Sequence, residues 1–114
     1  MNIISEITAA LTPTGMEPEV GAFIQEDGVY PDKYTVITPL DERNDHEADN
    51  EPFTETNGAD VNLYMRGDYQ AEKDQMKSLL KSAGFLIVDC GYVMFESSTG
   101  HHHYAISVEK TEVL

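Results

Sequence analysis

The fold is decided by the stretch ADVNLYMRGDYQAEKDQMKSLLKSAGF, residues 59–85. In its first part Val61, Leu63 and Met65 alternate with polar residues. Side chains of a strand point to opposite faces in turn, so this alternation predicts a strand with one buried face. The strand must bury that face against another element, and the rest of the stretch supplies a candidate.

The second part of the stretch predicts an amphipathic helix over residues 69–83. Asp68 stands where an N-cap is wanted, and Gly84 stands where a left-handed residue closes a helix. Acidic residues early in the segment and lysines late in it favour the helix dipole. The apolar residues at helical spacing share one face: Tyr69, Met76, Leu79, Leu80 and Ala83.

Towards the N-terminus, residues 2–11 predict a first short helix. Its apolar stripe is formed by Ile3, Ile4, Ile7 and Leu11, and Pro13 and Gly15 follow as terminators. A brief strand is expected within residues 16–32, around Val20, Ala22, Phe23 and Ile24. Residues 34–38 are rich in β-branched and aromatic side chains and end at Pro39, which predicts another strand.

The C-terminal third predicts strands at 85–88, 92–95 and 103–108, with a hairpin turn at 97–100 joining the last two. The whole chain, 1–114, is therefore expected to form one α+β domain. Its small, mostly antiparallel sheet should carry two helices. We expect the second helix to cross this sheet, placing Met76, Leu79 and Leu80 against Val61, Leu63 and Ile106.

The amino-acid composition excludes several classes of function. The chain has 21 Asp and Glu against 7 Lys and Arg, a formal net charge of -14. A protein that grips nucleic acid needs a basic patch to neutralise phosphates, so phosphate binding is not expected. With one cysteine, no signal-peptide pattern and no apolar run near the roughly 20 residues of a membrane span, the sequence predicts a cytoplasmic protein without a membrane contact.

Much of the negative charge falls in one segment, residues 41–58, which the sequence predicts to be a long acidic loop. Its carboxylates form a candidate lumen or interaction loop: Asp41, Glu42, Asp45, Glu47, Asp49, Glu51 and Glu55. The segment is not an EF-hand, because the sixth and twelfth positions from Asp41 are His46 and Pro52 where Gly and Glu are required. A solvated or repulsive surface explains the charge more simply.

Residues His101, His102 and His103 are the other conspicuous cluster. In a strand only His101 and His103 share a face, and a metal would need further ligands from elsewhere, with His46 a distant candidate. Cys90 has no neighbouring base. Glycine-rich phosphate loops, a nucleophile elbow and zinc-type cysteine pairs are missing from the sequence. We therefore expect a non-enzymatic protein with no metal and no cofactor.

The chain resembles the tail-completion (tail-terminator, head-tail joining) proteins of long-tailed bacteriophages and prophages. The resemblance is one of pattern, carried in order by YTVITPLDE (34–42), ADNEP (48–52), DVNLYMRGDY (60–69) and LLKSAGF (79–85). Residues 92–96 and 102–108 are similar to the closing hairpin of that family.

The resemblance implies a subunit of a ring, commonly a hexamer, at the head-proximal end of the tail. Such a ring ends tube growth, contacts the tail-tube protein and the head-tail connector, and lets DNA pass without specific binding. The protein would then belong to the virion tail, assembled in the host cytoplasm. Acidic residues of the 41–58 loop could line the channel and repel DNA.

Ring contacts are expected at a sheet edge, where unpaired backbone groups can extend into a neighbouring copy. The C-terminal hairpin is the expected edge, represented by Tyr104, Ile106 and Val108. One alternative stays open: a small acidic inhibitor that mimics DNA and occupies a basic host protein.

Overall fold

The computed structural model describes residues 2–22, 29–40, 42–45 and 54–113. These residues form an α+β fold, as the sequence predicts. The helices are α1 (Ile3–Ala10) and α2 (Gln70–Ser82), and Thr12–Thr14 is a short 3-10 helix. The strands are β1 (Glu19–Val20), β2 (Lys33–Pro39), β3 (Arg43–Asp45), β4 (Thr54–Met65), β5 (Leu86–Glu96) and β6 (His101–Val113).

The strands form one sheet in the order β1-β2-β4-β6-β5, with β3 beside the start of β4. Only β1 and β2 run parallel, and every other pair is antiparallel. The central pair is β4 with β6, which runs without a shift from Thr54 opposite Val113 to Met65 opposite His102. Since β4 and β6 extend past β2 and β5, the molecule is elongated, with extents of 55 × 28 × 23 Å.

The core lies between the helices and one face of the sheet. Val61, Leu63 and Ile106 are fully buried on that face, opposite Met76 and Leu80 of α2. The expected packing of the second helix is therefore confirmed. Helix α1 adds its predicted stripe to the same cluster, where Ile3, Ile7 and Leu11 are buried and Ile4 is half-buried.

The ends of α2 follow the predicted chemistry closely. The Asp68 carboxylate accepts the Gln70 backbone N–H at 3.0 Å, although Tyr69 occupies the N-cap position itself. At the other end Gly84 has φ of 93°, a left-handed conformation that favours glycine. Lys110 of β6 then fixes both helices to the sheet, because its ammonium donates to Ala83 O at 2.9 Å and to Glu6 Oε1 at 2.8 Å.

The prediction of a long acidic loop over 41–58 is wrong in its bounds. Arg43–Asp45 form β3, and residues 54–58 are the first part of β4, held between β3 and the end of β6. Asn57 and Gly58 disfavour strands by propensity, but pairing on the β6 side overrides it. The Thr56 and Thr111 hydroxyls, 2.7 Å apart, join the two strands there. The rest of the segment lies outside the described residues.

Three C-terminal strands were expected where the structure has two. The predicted strands at 85–88 and 92–95 are one strand, β5, in which Cys90 and Gly91 pair with Ile106 and Ala105. Two register shifts, between Ile87 and Asp89 and between Tyr92 and Met94, absorb the irregular pattern. Bulges of this kind are common on edge strands, so the polar interruption does not end the strand. The turn at 97–100 is confirmed.

The expected oligomer edge is also wrong. Strand β6, which carries Tyr104, Ile106 and Val108, is an inner strand paired with β4 on one side and β5 on the other. All three side chains are buried in the core. The C-terminal hairpin does contain a free edge, but that edge is β5.

Replacing Ile106 with alanine should test the central packing. Ile106 is fully buried between α2 and the sheet, so Ile106→Ala should lower the free energy of unfolding by about 2–5 kcal/mol. Val113→Ala, at a position of the same strand whose side chain is 67% exposed, should change it by less than about 0.5 kcal/mol. Urea denaturation would measure both, and equal effects would contradict this packing.

Candidate functional site

The sheet face opposite α1 and α2, called the open face below, carries a row of stacked rings. Tyr34, Tyr64 and His103 lie directly opposite one another on β2, β4 and β6. The Tyr34 and Tyr64 ring centroids are 4.8 Å apart with planes at 8°, and those of Tyr64 and His103 are 4.3 Å apart at 19°. Tyr30 extends the row, 5.7 Å from Tyr34. The pairing of β2, β4 and β6 brings the rings of Tyr34, Tyr64 and His103 together.

The buried position of His103 favours the neutral form of its ring. Its Nε2 lies 2.8 Å from Asn62 Oδ1, and an amide oxygen only accepts, so Nε2–H donates. Burial lowers the pKa of His103, and the carboxylate of Glu96 opposes this in part. His103 therefore acts as a fixed hydrogen-bond donor within the row.

Tyr34 and Tyr64 stay protonated at neutral pH. Burial, followed by the Glu96 carboxylate, raises the pKa of Tyr34 to about 12. The same two causes raise the pKa of Tyr64. Neither phenol therefore supplies a base at neutral pH. The row presents hydroxyl groups and aromatic surface next to a single carboxylate.

A cavity of about 320 Å³ opens beside this row. Its wall includes Tyr30, Tyr34, Tyr64 and Glu96, and the hydroxyl-bearing residues of the β5–β6 turn, Ser98 and Thr99, complete one side. This volume is at the small end of the range for ligand pockets. The cavity has the size for a small polar molecule, and its wall shows no arrangement selective for one.

His101 and His103 share the open face and His102 lies on the helix face, as the strand alternation predicts. His101 is fully buried, and its ring nitrogens lie 2.8 Å from Thr99 Oγ1 and 2.8 Å from Pro31 O. His102 lies on the helix face, its Nδ1 2.9 Å from the Tyr92 hydroxyl. Each ring is engaged with a different neighbour. Among the described residues no three His, Cys, Asp or Glu side chains are grouped to hold a metal.

Ser107 and His103 share the open face but do not form a catalytic pair. The Ser107 hydroxyl donates to Asp60 Oδ1 at 2.5 Å, while His103 bonds to Asn62. Nucleophilic catalysis needs the hydroxyl and its base within hydrogen-bond reach of each other. Instead, each of these side chains forms a hydrogen bond to a neighbouring strand. These bonds satisfy polar groups on the open face.

Charge is divided unevenly between the two sides of the sheet. The register places Asp60, Asp89, Glu96 and Glu109 on the open face, and it also places Arg43 there, opposite Thr56. The lysines lie on the helix side, on α2 or on sheet positions that face it, such as Lys33 with Glu72 and Lys110 with Glu6. Arg66, at the end of β4, is held by Asp32 Oδ1 at 3.0 Å and Thr99 O at 2.8 Å.

Sequence reasoning did not identify this acidic face. The signal was present in the polar residues that alternate with Val61 and Leu63, because Asp60 must point away from the core. The many acidic residues of segment 41–58 were the stronger signal, and the prediction therefore placed the acidic surface there. Glu109 and Asp89 could be assigned to the same face only once their pairing partners, Gly58 and Ser107, were known.

The predicted loop carboxylates are dispersed in the structure. Glu42 is exposed, and Asp45 belongs to β3. Glu55 lies in β4 opposite Glu112, and its carboxylate accepts a hydrogen bond from Asn57 Nδ2 at 2.7 Å. Asp41, Glu47, Asp49 and Glu51 lie outside the described residues. The predicted edge residue Tyr104 is a core residue, and burial is the first cause that raises its pKa to about 12.

A second surface lies along β5, where large apolar side chains are exposed. They are Leu86, Val88, Tyr92, Val93, Met94 and Phe95, each between 45% and 64% exposed. On the helix side Tyr92 and Phe95 contact the ring of His102, with centroids 5.8 and 5.0 Å away. Cys90, a free and exposed thiol, lies on the same strand.

Comparison with known proteins does not identify the chain: no protein-family model matches it, and no curated protein matches it. Within the part of the chain that the structure describes, no helix is long and apolar enough to cross a bilayer. The function must therefore be argued from the geometry of the two surfaces and from the resemblance in sequence pattern.

Titration of His103 tests the geometry of the ring row. Because burial lowers its pKa, NMR titration of the ring should give a midpoint below the ordinary value of about 6.5. The folded state then binds this proton more weakly than the unfolded chain. The stability contributed by His103 is therefore complete above pH 6.5 and decreases as the pH falls below it. A midpoint above 6.5 would contradict the buried, stacked position.

Proposed function

We propose that this chain is a structural subunit of a phage or prophage tail. Copies would form a ring, by analogy a hexamer, at the head-proximal end, where the ring ends growth of the tail tube and joins tail to head. The observation that carries the proposal is the division of charge across the sheet. A face rich in carboxylates, with the lysines on the other side, suits a subunit whose open face lines a DNA channel.

Electrostatics gives the acidic face its role. DNA carries a phosphate charge at close intervals along its axis, so a channel lined with cations would hold it in place. A channel lined with carboxylates repels the phosphates and lets the duplex pass. Asp60, Glu96 and Glu109 would form this lining. The lumen role would therefore belong to the sheet and not to the 41–58 segment.

The resemblance to tail-completion proteins supports the same assignment. Two of its stretches, 60–69 and 79–85, correspond to the end of β4 with the connection up to the N-cap of α2, and to the end of α2 with its C-terminal cap. The α+β fold agrees with what the resemblance implies. The partners in this proposal are other copies of the chain, the tail-tube protein and the head-tail connector. Chemical catalysis is not required.

Removal of the protein tests the proposal directly. In a phage that encodes this chain, deleting its gene should give tails of excessive length or tails that fail to join heads. Negative-stain electron microscopy of the lysate measures both tail length and the fraction of joined particles. Complementation with the wild-type gene is the control. Normal particles in the deletion strain would contradict the assignment.

Reversing one charge on the open face tests the lumen role separately. Glu109→Lys should leave tail length unchanged but slow DNA release, because an ammonium in the channel attracts phosphates. Asp74→Lys makes the same charge change on the exposed surface of α2 and should have no effect on release. Release triggered in vitro can be followed with a DNA-binding dye. Equal behaviour of the two variants would place the open face outside the channel.

The acidic face also favours one other function, a DNA mimic that occupies a basic host protein. Carboxylates spaced along strands can stand in for phosphates, and such binding weakens steeply as salt rises. In that case the purified chain should compete with DNA for a nucleoid-binding protein in 50 mM salt and lose the competition at high salt. Competition together with normal particles in the deletion strain would favour the mimic over the tail subunit.

A further inference from the structure

Strand β5 is a long edge strand that carries two bulges but little charge to protect it. Natural edges carry lysines, prolines or inward-pointing charges, because unpaired backbone groups recruit other strands. Over its 11 residues β5 has only two charged side chains, Asp89 and Glu96, and no proline. In a chain of net charge -14, this stretch combines little charge with several exposed apolar side chains.

Gly91, at the centre of β5, has no evident role within a single chain. Its φ is not in the left-handed region, so its conformation does not require glycine. A Cβ added there would meet nothing within 4 Å, so packing does not require glycine either. Glycine inside a strand costs about 0.5–1 kcal/mol relative to alanine. Glycine in a strand often marks a bulge, a bend or the close approach of another backbone, and Gly91 lies between the two bulges of β5.

We propose that β5 pairs with β5 of a second copy, antiparallel and centred on Gly91. Residue 91 is the midpoint of Leu86–Glu96, so this register overlaps the whole strand. It also matches apolar residues with one another across the junction: Ile87 with Phe95, Val88 with Met94, and Cys90 with Tyr92. Side chains of opposite strands interact in such pairs.

The distribution of charge favours this register. It also favours a second copy of the chain as the partner of β5. In the antiparallel pair Asp89 lies opposite Val93 of the second copy, and Glu96 lies opposite Leu86. A parallel, in-register pair would instead place Asp89 against Asp89 and Glu96 against Glu96, and like charges directly opposite destabilise a sheet. Two copies of so acidic a protein repel elsewhere, so they can meet only where carboxylates are sparse.

The contact would be modest in size. Eleven paired residues extend over roughly 36 Å and supply on the order of ten backbone hydrogen bonds. Interfaces of this size are typically weak, so we expect a dissociation constant on the order of 10 μM. Added salt should tighten the pair by screening the net charge. The contact is two-fold and closed, which makes it separate from the subunit contacts of a ring and independent of the proposed function.

Sedimentation velocity over a range of concentrations tests the pairing. The wild-type chain should associate reversibly to a dimer. Val93→Glu should weaken the dimer at least tenfold, because it places a carboxylate opposite Asp89 twice in each dimer. Val20→Glu is the matched control, since Val20 on β1 is 53% exposed and Val93 is 52% exposed. It adds the same charge and should change the dissociation constant less than twofold.

A charge swap fixes the register. Adding Asp89→Lys to Val93→Glu places lysine opposite glutamate at both sites and should restore dimerisation to within about threefold of wild type. Circular dichroism would verify that each variant is folded. A wild-type chain that stays monomeric at 500 μM would overturn the proposal, as would equal weakening by Val20→Glu or failure of the swap to restore dimers. None of these outcomes bears on the tail phenotype.

Discussion

The pairing of β4 with β6 is the interaction on which the rest of the structure depends. Its twelve consecutive partners, without a bulge, set which side chains face the helices and which face away. A shift of one residue would move every side chain of one strand to the other face. Ile106 would then leave the core, and the contact between Ser107 and Asp60 would be lost. The β4–β6 register therefore decides both which side chains form the core and which form the acidic face.

The same pairing explains which features the sequence could predict. Local patterns were sufficient for α2, because Met76, Leu80 and Gly84 encode its buried face and its end within one segment. The first half of β4 could not be read in this way, since Asn57 and Gly58 are poor strand residues held by partners more than 40 positions away. Likewise, the edge predicted at Tyr104, Ile106 and Val108 was wrong because the order of the strands, which no local pattern encodes, makes β5 the outer strand. Non-local pairing, rather than propensity, decided those points.

The charged residues are sorted between the two sides of the sheet, although their positions along the chain do not show this. Lysines are placed where they have structural roles beneath the helices, as when Lys110 links Glu6 to the end of α2. The open face carries carboxylates and polar pairs, together with Arg43, while all the lysines lie on the helix side. Fields from such a face act at a distance and do not depend on a specific ligand.

Strand β5 shows how an interface can be maintained on a strongly charged protein. Repulsion between copies falls with separation and salt, whereas apolar and backbone contacts act only at short range. A charge-poor edge of this kind would let two molecules meet in one geometry while the rest of their surfaces keep them apart. The two bulges increase the local twist of β5, and this restricts the edge to partners with a matching twist. A strand of identical sequence, running in the opposite direction, satisfies that restriction by symmetry.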